Sequence, residues 1–162
     1  MIRFTAGRAF GLLVSVGTAA LGVMAAGPAA HAASCPAPGV SAVQAGAGDA
    51  SCSATSAEGA AAAAYGFGGV ASAAAEPTSL SLAIAQNGGT ATSSSTFLSG
   101  PAAVAVGPGA QVTTIGVRPG LSIGIAGPGA QVTVNGVTTP TCTGGPAFAG
   151  DFQTLQGCLS LG

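Results

Sequence analysis

Gly107-Pro108-Gly109-Ala110-Gln111-Val112-Thr113 recurs letter for letter as Gly127-Pro128-Gly129-Ala130-Gln131-Val132-Thr133, twenty residues later. Between the copies stands a third Pro-Gly, in Arg118-Pro119-Gly120. Proline fixes the backbone angle wanted at the second position of a turn and glycine accepts the positive angle at the third, so each Pro-Gly reads as a type II turn. The segments between the turns alternate as strands do: Ala102, Val104, Val106; then Ala110, Val112, Thr114; then Leu121, Ile123, Ile125; then Ala130, Val132, Val134. Turn spacings of eleven and nine residues over 100–137 predict a mainly β domain, a meander or a narrow β-solenoid-like stack with about one strand per turn.

Upstream the same alternation continues. Leu80, Leu82 and Ile84 alternate with Ser81, Ala83 and Ala85, and Asn87-Gly88-Gly89 supplies a hairpin turn into 90–98. Ala60 to Ala64 has helical propensity, but Tyr65-Gly66-Phe67-Gly68-Gly69 interrupts it and Glu76-Pro77 cuts off Ala71 to Ala75. These Ala stretches therefore read as packed small-residue strands or coils. Tyr65 and Phe67 read as caps on a thin core, with a ligand platform as the rival reading.

The N-terminus carries a different signal. Arg3 and Arg8 precede an uncharged run from Ala9 to Ala26, then Gly27-Pro28 and Ala30-His31-Ala32. A basic start, an apolar stretch and small residues before a cleavage point describe an export signal over 1–32, cut between Ala32 and Ala33. Eighteen uncharged residues are near the lower bound for a membrane anchor, but no basic cluster follows them. Ala32-Ala33-Ser34-Cys35 loosely resembles a lipobox, though it lacks the usual Leu, and lipidation at Cys35 would leave an odd number of thiols.

Cleavage there leaves a single mature domain, 33–162, with one Arg, no Lys, no His and the acids Asp49, Glu58, Glu76 and Asp151, a formal charge of −3. Without a basic footprint the chain is not expected to bind nucleic acid or to hold strongly to anionic membranes. A hydrolase of the Ser-His-Asp, Cys-His or Ser-Lys kind has no base to use. The four acids are scattered and lack the context of a paired-carboxylate site, so the expectation is a non-enzymatic protein with no catalytic, cofactor-binding or metal-ligating residues. Arg118, the sole cation, stands immediately before a Pro-Gly turn, at an expected solvent-facing tip. Leu, Ile, Val and Phe number 25 of the 130 remaining residues, at the low edge of folded chains, but weak net charge argues against disorder. One small domain with a core rich in Ala and Val is expected, and so small a core calls for covalent staples.

Four cysteines supply them: Cys35, Cys52, Cys142 and Cys158. An even count in an exported chain reads as disulfides, with three possible pairings. The preferred pairing is Cys35 with Cys52 and Cys142 with Cys158, because each encloses a short segment, of sixteen and fifteen residues. A thiolate metal site or a redox pair would call for a Cys-x-x-Cys spacing that is absent.

The layout of the signal, Cys35-Pro36, Gly39-Val40, Cys52, the Tyr65-Gly-Phe-Gly-Gly-Val70-Ala stretch, Leu80-Ser-Leu-Ala-Ile84-Ala, and Cys142-Thr-Gly-Gly-Pro-Ala-Phe148-Ala on to Cys158-Leu159 resembles an uncharacterised family of small exported actinobacterial proteins. Its members usually carry a Trp in the C-terminal cysteine loop, where this chain has only Phe148 and Phe152. The resemblance implies no activity and no catalytic residues.

Two functional classes fit these observations. One is a structural or surface-interaction protein of the cell envelope, secreted or at the cell surface, that packs against cell-wall material, other protein or itself. Low charge and exposed strand edges favour self-association, and prolines limit it. The other is a secreted binding module for a small apolar or neutral ligand, in a pocket lined by Val, Ile, Leu and Phe. An ice-binding surface would need regularly spaced threonines, and the pairs Thr113-Thr114 and Thr138-Thr139 are not regularly spaced.

Overall fold

The computed structural model describes residues 31–162. All but the last two residues of the expected export signal lie outside them, and Ala32 opens the first strand. Among the described residues there are fourteen strands and no helix. The chain begins with β1 (Ala32–Pro38) and β2 (Ser41–Ala47), then runs through β3 (Ala50–Ser56), β4 (Ala61–Phe67), β5 (Val70–Ala75), β6 (Leu80–Gln86) and β7 (Thr90–Ser95). It continues with β8 (Ser99–Val106), β9 (Gln111–Gly116), β10 (Gly120–Ala126) and β11 (Gln131–Val134), and ends with β12 (Thr141–Thr143), β13 (Pro146–Asp151) and β14 (Gln156–Leu161).

The strands form two seven-stranded sheets, and from β3 to β11 successive strands alternate between them. Sheet A has the order β1-β4-β6-β8-β10-β13-β14 and sheet B the order β12-β11-β9-β7-β5-β3-β2. From β3 to β11 all pairings within a sheet are parallel. This is a β-solenoid-like stack of about four turns, each coil holding one strand from each sheet. Ser51, Val70, Thr90, Gln111 and Gln131 stand in register along sheet B, so a coil takes 19 to 21 residues. The repeated heptapeptide is one coil advanced: Gln111, Val112 and Thr113 pair with Gln131, Val132 and Thr133. Of the two architectures open to the sequence, the solenoid is the one formed.

The turns explain why. The N–H groups of Ala110 and Ala130 donate to the carbonyls of Gly107 and Gly127 at 3.2 and 3.0 Å, while Gly109 and Gly129 hold φ of +72° and +67°. Both Pro-Gly pairs are therefore closed type II turns, as expected. The pair at Pro119-Gly120 is not one of them. The Gly120 N–H donates to Leu98 of the coil before it, at 3.4 Å. Asn87-Gly88-Gly89 does not make the expected hairpin either. The Asn87 N–H donates to the Phe67 carbonyl of the preceding coil at 2.9 Å, so β6 and β7 pass into opposite sheets instead of pairing with each other. Backbone groups that a hairpin would pair across the turn are paired along the stack, which satisfies them equally well.

Corners of two to four residues leave a narrow interior, and the side chains inside are correspondingly small. Among the described residues the core is Ala from end to end, joined by Cys35, Cys52, Val112, Val132 and Val134. The Ala stretches expected as strands or coils are strands, β4 and β5, and the core is the expected mixture of Ala and Val. Close packing of so small a set is strict. A Cβ placed on Gly124 of β10 would meet Val112 Cγ1 at 2.8 Å and Val132 Cγ1 at 3.0 Å. Two buried serines form a chain: Ser81 donates to Ser93 at 2.8 Å and Ser93 to the Pro101 carbonyl at 3.1 Å.

Antiparallel strands close both ends, β1 and β2 on β4 and β3, and β12 to β14 on β11 and β10. The disulfides lie in these caps. Cys35 of β1 is joined to Cys52 of β3, and Cys142 of β12 to Cys158 of β14, with Cα atoms 5.9 and 5.7 Å apart. Each bond thus ties sheet A to sheet B at one end of the stack. In the chain-entropy model, loops of this length contribute about 3 kcal/mol apiece. Pro36 and Pro38 lie in β1, an edge strand, where a missing N–H leaves no ladder bond broken.

Candidate interaction surface

In sheet A the larger aliphatic side chains point away from the core. Ser81, Ala83 and Ala85 of β6 are buried, whereas Leu80, Leu82 and Ile84 face outward, and Leu80 is 61% exposed. In β8 the inward residues include Ala103 and Ala105, and Ala102, Val104 and Val106 face out. In β10 Ser122, Gly124 and Ala126 are buried, while Leu121, Ile123 and Ile125 lie on the outer face, with Leu121 63% exposed. Only sheet B turns its Val inward, through Val112, Val132 and Val134. Alternation with both sets apolar does not say which set faces the core. The narrow coil decides it: facing the Val and Thr of sheet B, the inward places of β4, β6, β8 and β10 hold only Ala, Gly, Ser and Pro101.

Register gathers these residues into rows across sheet A. One row is Pro38, Ala61, Leu80, Gly100 and Leu121; the next is Pro36, Ala63, Leu82, Ala102, Ile123 and Gly150. A third is Ser34, Tyr65, Ile84, Val104, Ile125, Phe148 and Leu159. The fourth holds Ala32, Phe67, Gln86 and Val106, with Pro146 and Leu161 at the far end. Ser34 and Gln86 are the polar residues among these four rows. Tyr65 and Phe67, expected to cap the core, stand on this outer face, because the inward places of β4 belong to Ala62, Ala64 and Gly66. A shallow trough of about 470 Å³ runs over the small residues, walled by Pro36, Pro38, Leu80, Leu82 and Leu121.

Parallel sheets are ordinarily covered on both faces, and their strands read as apolar on both sides for that reason. Among the described residues nothing covers the outer face of sheet A. Four outward rows about 6.6 Å apart, each crossing six of the seven strands on average at about 4.8 Å spacing, give it a plan area of roughly 750 Å², above the largest apolar patch of a typical monomer.

Sheet B is the opposite in character. Ser53, Ser72, Thr92, Thr113, Thr133 and Thr141 stand in one outward row, and Ser51, Val70, Thr90, Gln111, Gln131 and Thr143 in the next. Threonine spacing that looks irregular along the chain is therefore regular from coil to coil; Thr114, neighbour of Thr113, is buried. The molecule is a slab with one apolar and one hydroxyl-bearing face.

The charged groups lie off both faces. Asp49, Glu58, Glu76 and Arg118 are in the connections between strands; Asp49 Oδ1 lies 3.4 Å from His31 Nδ1. Asp151 is buried at the end of β13, where its carboxylate accepts from the Gln153 N–H at 2.9 Å and the Thr154 hydroxyl at 2.8 Å. The four acids are thus spread over separate loops and one strand end. The backbone N–H of Arg118 donates to Gln153 Oε1 at 3.1 Å.

Reading the sequence for motifs misses the apolar face, although a signal for it is present. Leu80-Ser-Leu-Ala-Ile-Ala, Gly100-Pro-Ala-Ala-Val-Ala and Leu121-Ser-Ile-Gly-Ile-Ala are one six-residue pattern at coil spacing, and their first, third and fifth places make the outer rows. A family model described as a family of unknown function (DUF6764) matches residues 1–161. No curated protein and no solved structure matches the chain.

Proposed function

We propose that this chain, which belongs to the DUF6764 family of unknown function, is a non-enzymatic exported protein of the cell envelope whose working surface is the outer face of sheet A. The observation that carries the reading is the uncharged apolar area of that face, set against the hydroxyl rows of sheet B. An exposed apolar area of that size is a contact surface in want of a partner. Export from the signal at 1–32 is part of the proposal. Its supports are the two disulfides, which fit an extracellular protein, and the resemblance to small exported actinobacterial proteins. Among the described residues no helix is long and apolar enough to cross a membrane.

The test is cell fractionation of the protein in its host, with the double variant Leu82→Lys/Ile123→Lys beside a control on the other face, Thr92→Lys. The apolar-face variant is expected to move from the envelope to the medium while the control stays. A variant that remains with the envelope would sink the assignment of this face.

The shallow trough favours a second reading, a binding module for a small apolar ligand such as an alkyl chain. It differs from the pocket of Val, Ile, Leu and Phe expected from the sequence, because its floor is Ala and Gly and it lies on the surface. Native mass spectrometry of protein purified from its host, showing no co-purifying molecule, would remove this reading.

A further inference from the structure

Large and small residues alternate across the four central strands of sheet A in two of its four outer rows, while the third is large throughout, with Tyr65, Ile84, Val104 and Ile125. In the first two outer rows, β4 offers Ala61 and Ala63, β6 Leu80 and Leu82, β8 Gly100 and Ala102, and β10 Leu121 and Ile123. The strands thus form grooves and ridges in turn, a groove, a ridge, a groove and a ridge, with like features about 10 Å apart. Such a series has no mirror symmetry, but it is complementary to its own reversal.

We propose that the partner of this face is a second copy of the chain, packed face to face about a two-fold axis that runs parallel to the strands, midway between β6 and β8. The proposal rests on the reading of this face as the working surface and names its occupant. A two-fold placed there keeps each row opposite itself and reverses the strand order. Leu80 and Leu82 then meet the partner's Gly100 and the partner's Ala102, and Leu121 and Ile123 meet the partner's Ala61 and the partner's Ala63. In these two rows every ridge enters a groove, and in the third Ile84 lies over the partner's Val104 and Tyr65 over the partner's Ile125, apolar against apolar. The outer strands obey the same rule, since β1 comes to lie over the opposite β13: Phe148 faces the partner's Ser34, and Pro36 faces the partner's Gly150. At Gly100 the Leu121 side chain of the same chain leans over the groove, where a Cβ would meet it at 2.7 Å, so the partner's Leu80 packs against Leu121 there as well as against the glycine.

Area and charge agree with this. A face of roughly 750 Å² on each copy buries about 1,500 Å² in the pair, inside the range of stable specific interfaces. The outer rows contain no ionisable group other than the Tyr65 phenol, so two copies meet without like-charge repulsion. An isologous contact also closes on itself and uses up the apolar surface, whereas a contact that did not close would build fibres.

The experiment measures mass by sedimentation velocity on protein recovered from its host, together with adsorption to an octyl-derivatised surface as an independent readout of the exposed face. The expected result is a dimer that dissociates on dilution. Ala102→Phe should abolish it by filling a groove, yet preserve or increase adsorption because it adds apolar surface. Leu82→Lys should abolish both. Ala63→Cys combined with Ile123→Cys should give a dimer bridged between those positions by a bifunctional thiol reagent that reaches about 10 Å, the spacing of packed sheets. Within one chain β4 and β10 are three strands, about 14 Å, apart, beyond its reach. A wild-type monomer at high concentration that still adsorbs would overturn the pairing and leave the reading of the face intact. A monomer that does not adsorb would overturn both. A dimer indifferent to Ala102→Phe, or cross-linked elsewhere, would place the interface on another surface and overturn the proposal.

Discussion

Gly124 is the point at which the packing is most sharply testable. It lies inward on β10, opposite the two repeated valines, and a methyl group there would sit 2.8 Å from Val112 Cγ1, 3.0 Å from Val132 Cγ1 and 3.1 Å from Thr114 Cγ2. All three neighbours are β-branched, fixed in buried strands and unable to move far. Overpacking of this kind costs about 1–3 kcal/mol, against which the lower chain entropy of Ala returns about 0.5–1 kcal/mol. Gly124→Ala should therefore destabilise by about 1–2 kcal/mol, a fall in Tm of about 3–8 °C for a domain of this size. Val112→Ala should cost about 2–3 kcal/mol, from two lost methyl groups and the cavity they leave. In the double variant the new methyl enters the space the old ones vacated, so the loss should fall short of the sum by about 1 kcal/mol. Thermal unfolding by circular dichroism, with disulfides intact and concentration held fixed, measures all four corners of the cycle. A Gly124→Ala protein as stable as the parent, or a strictly additive double variant, would refute the claim that the sheets are this close.

Other consequences are as direct. Thr114 Oγ1 is buried without a hydrogen-bond partner, so Thr114→Val should raise stability by about 1–2 kcal/mol; denaturant titration giving a loss would show that the hydroxyl is bonded after all. Replacing Cys142 and Cys158 together by Ser should lower stability by about 3 kcal/mol. Hydrogen exchange should then quicken in β12 to β14 while amides in β5 to β8 stay protected; uniform loss of protection would contradict a local role in the cap. Intact-mass analysis of the exported protein should find Ala33 at the N-terminus and a gain of four hydrogens on reduction, two for each disulfide. A lipid-sized increment on Cys35 would replace the secreted form with an anchored one.

The sequence by itself determined the mainly β class, the type II turns at 108–109 and 128–129 but not the departure at 119–120, the Ala and Val composition of the core and the preferred disulfide pairing. Each of these rests on local chemistry: Pro-Gly geometry at 108–109 and 128–129, alternation with period two, and cysteines close along the chain. The exact heptapeptide repeat spans one full coil of twenty residues, although the turn spacing reads as about one strand per turn and the coil holds two. Tertiary structure decided three matters that local chemistry leaves open. It sent β6 and β7 to opposite sheets, because the backbone groups of Asn87 found partners in the coil below. It turned Leu80, Leu82, Ile84, Leu121, Ile123 and Ile125 outward, because the short corners close the gap so far that the places facing Val112, Val132 and Thr114 admit only small side chains. A strand with apolar residues on both faces does not specify which face is inside, and hydrophobicity alone ranks Leu and Ile above Ala and Ser for the core. Coil-to-coil register then gathered residues twenty apart in sequence into continuous rows, and the two faces of the slab exist only through that stacking.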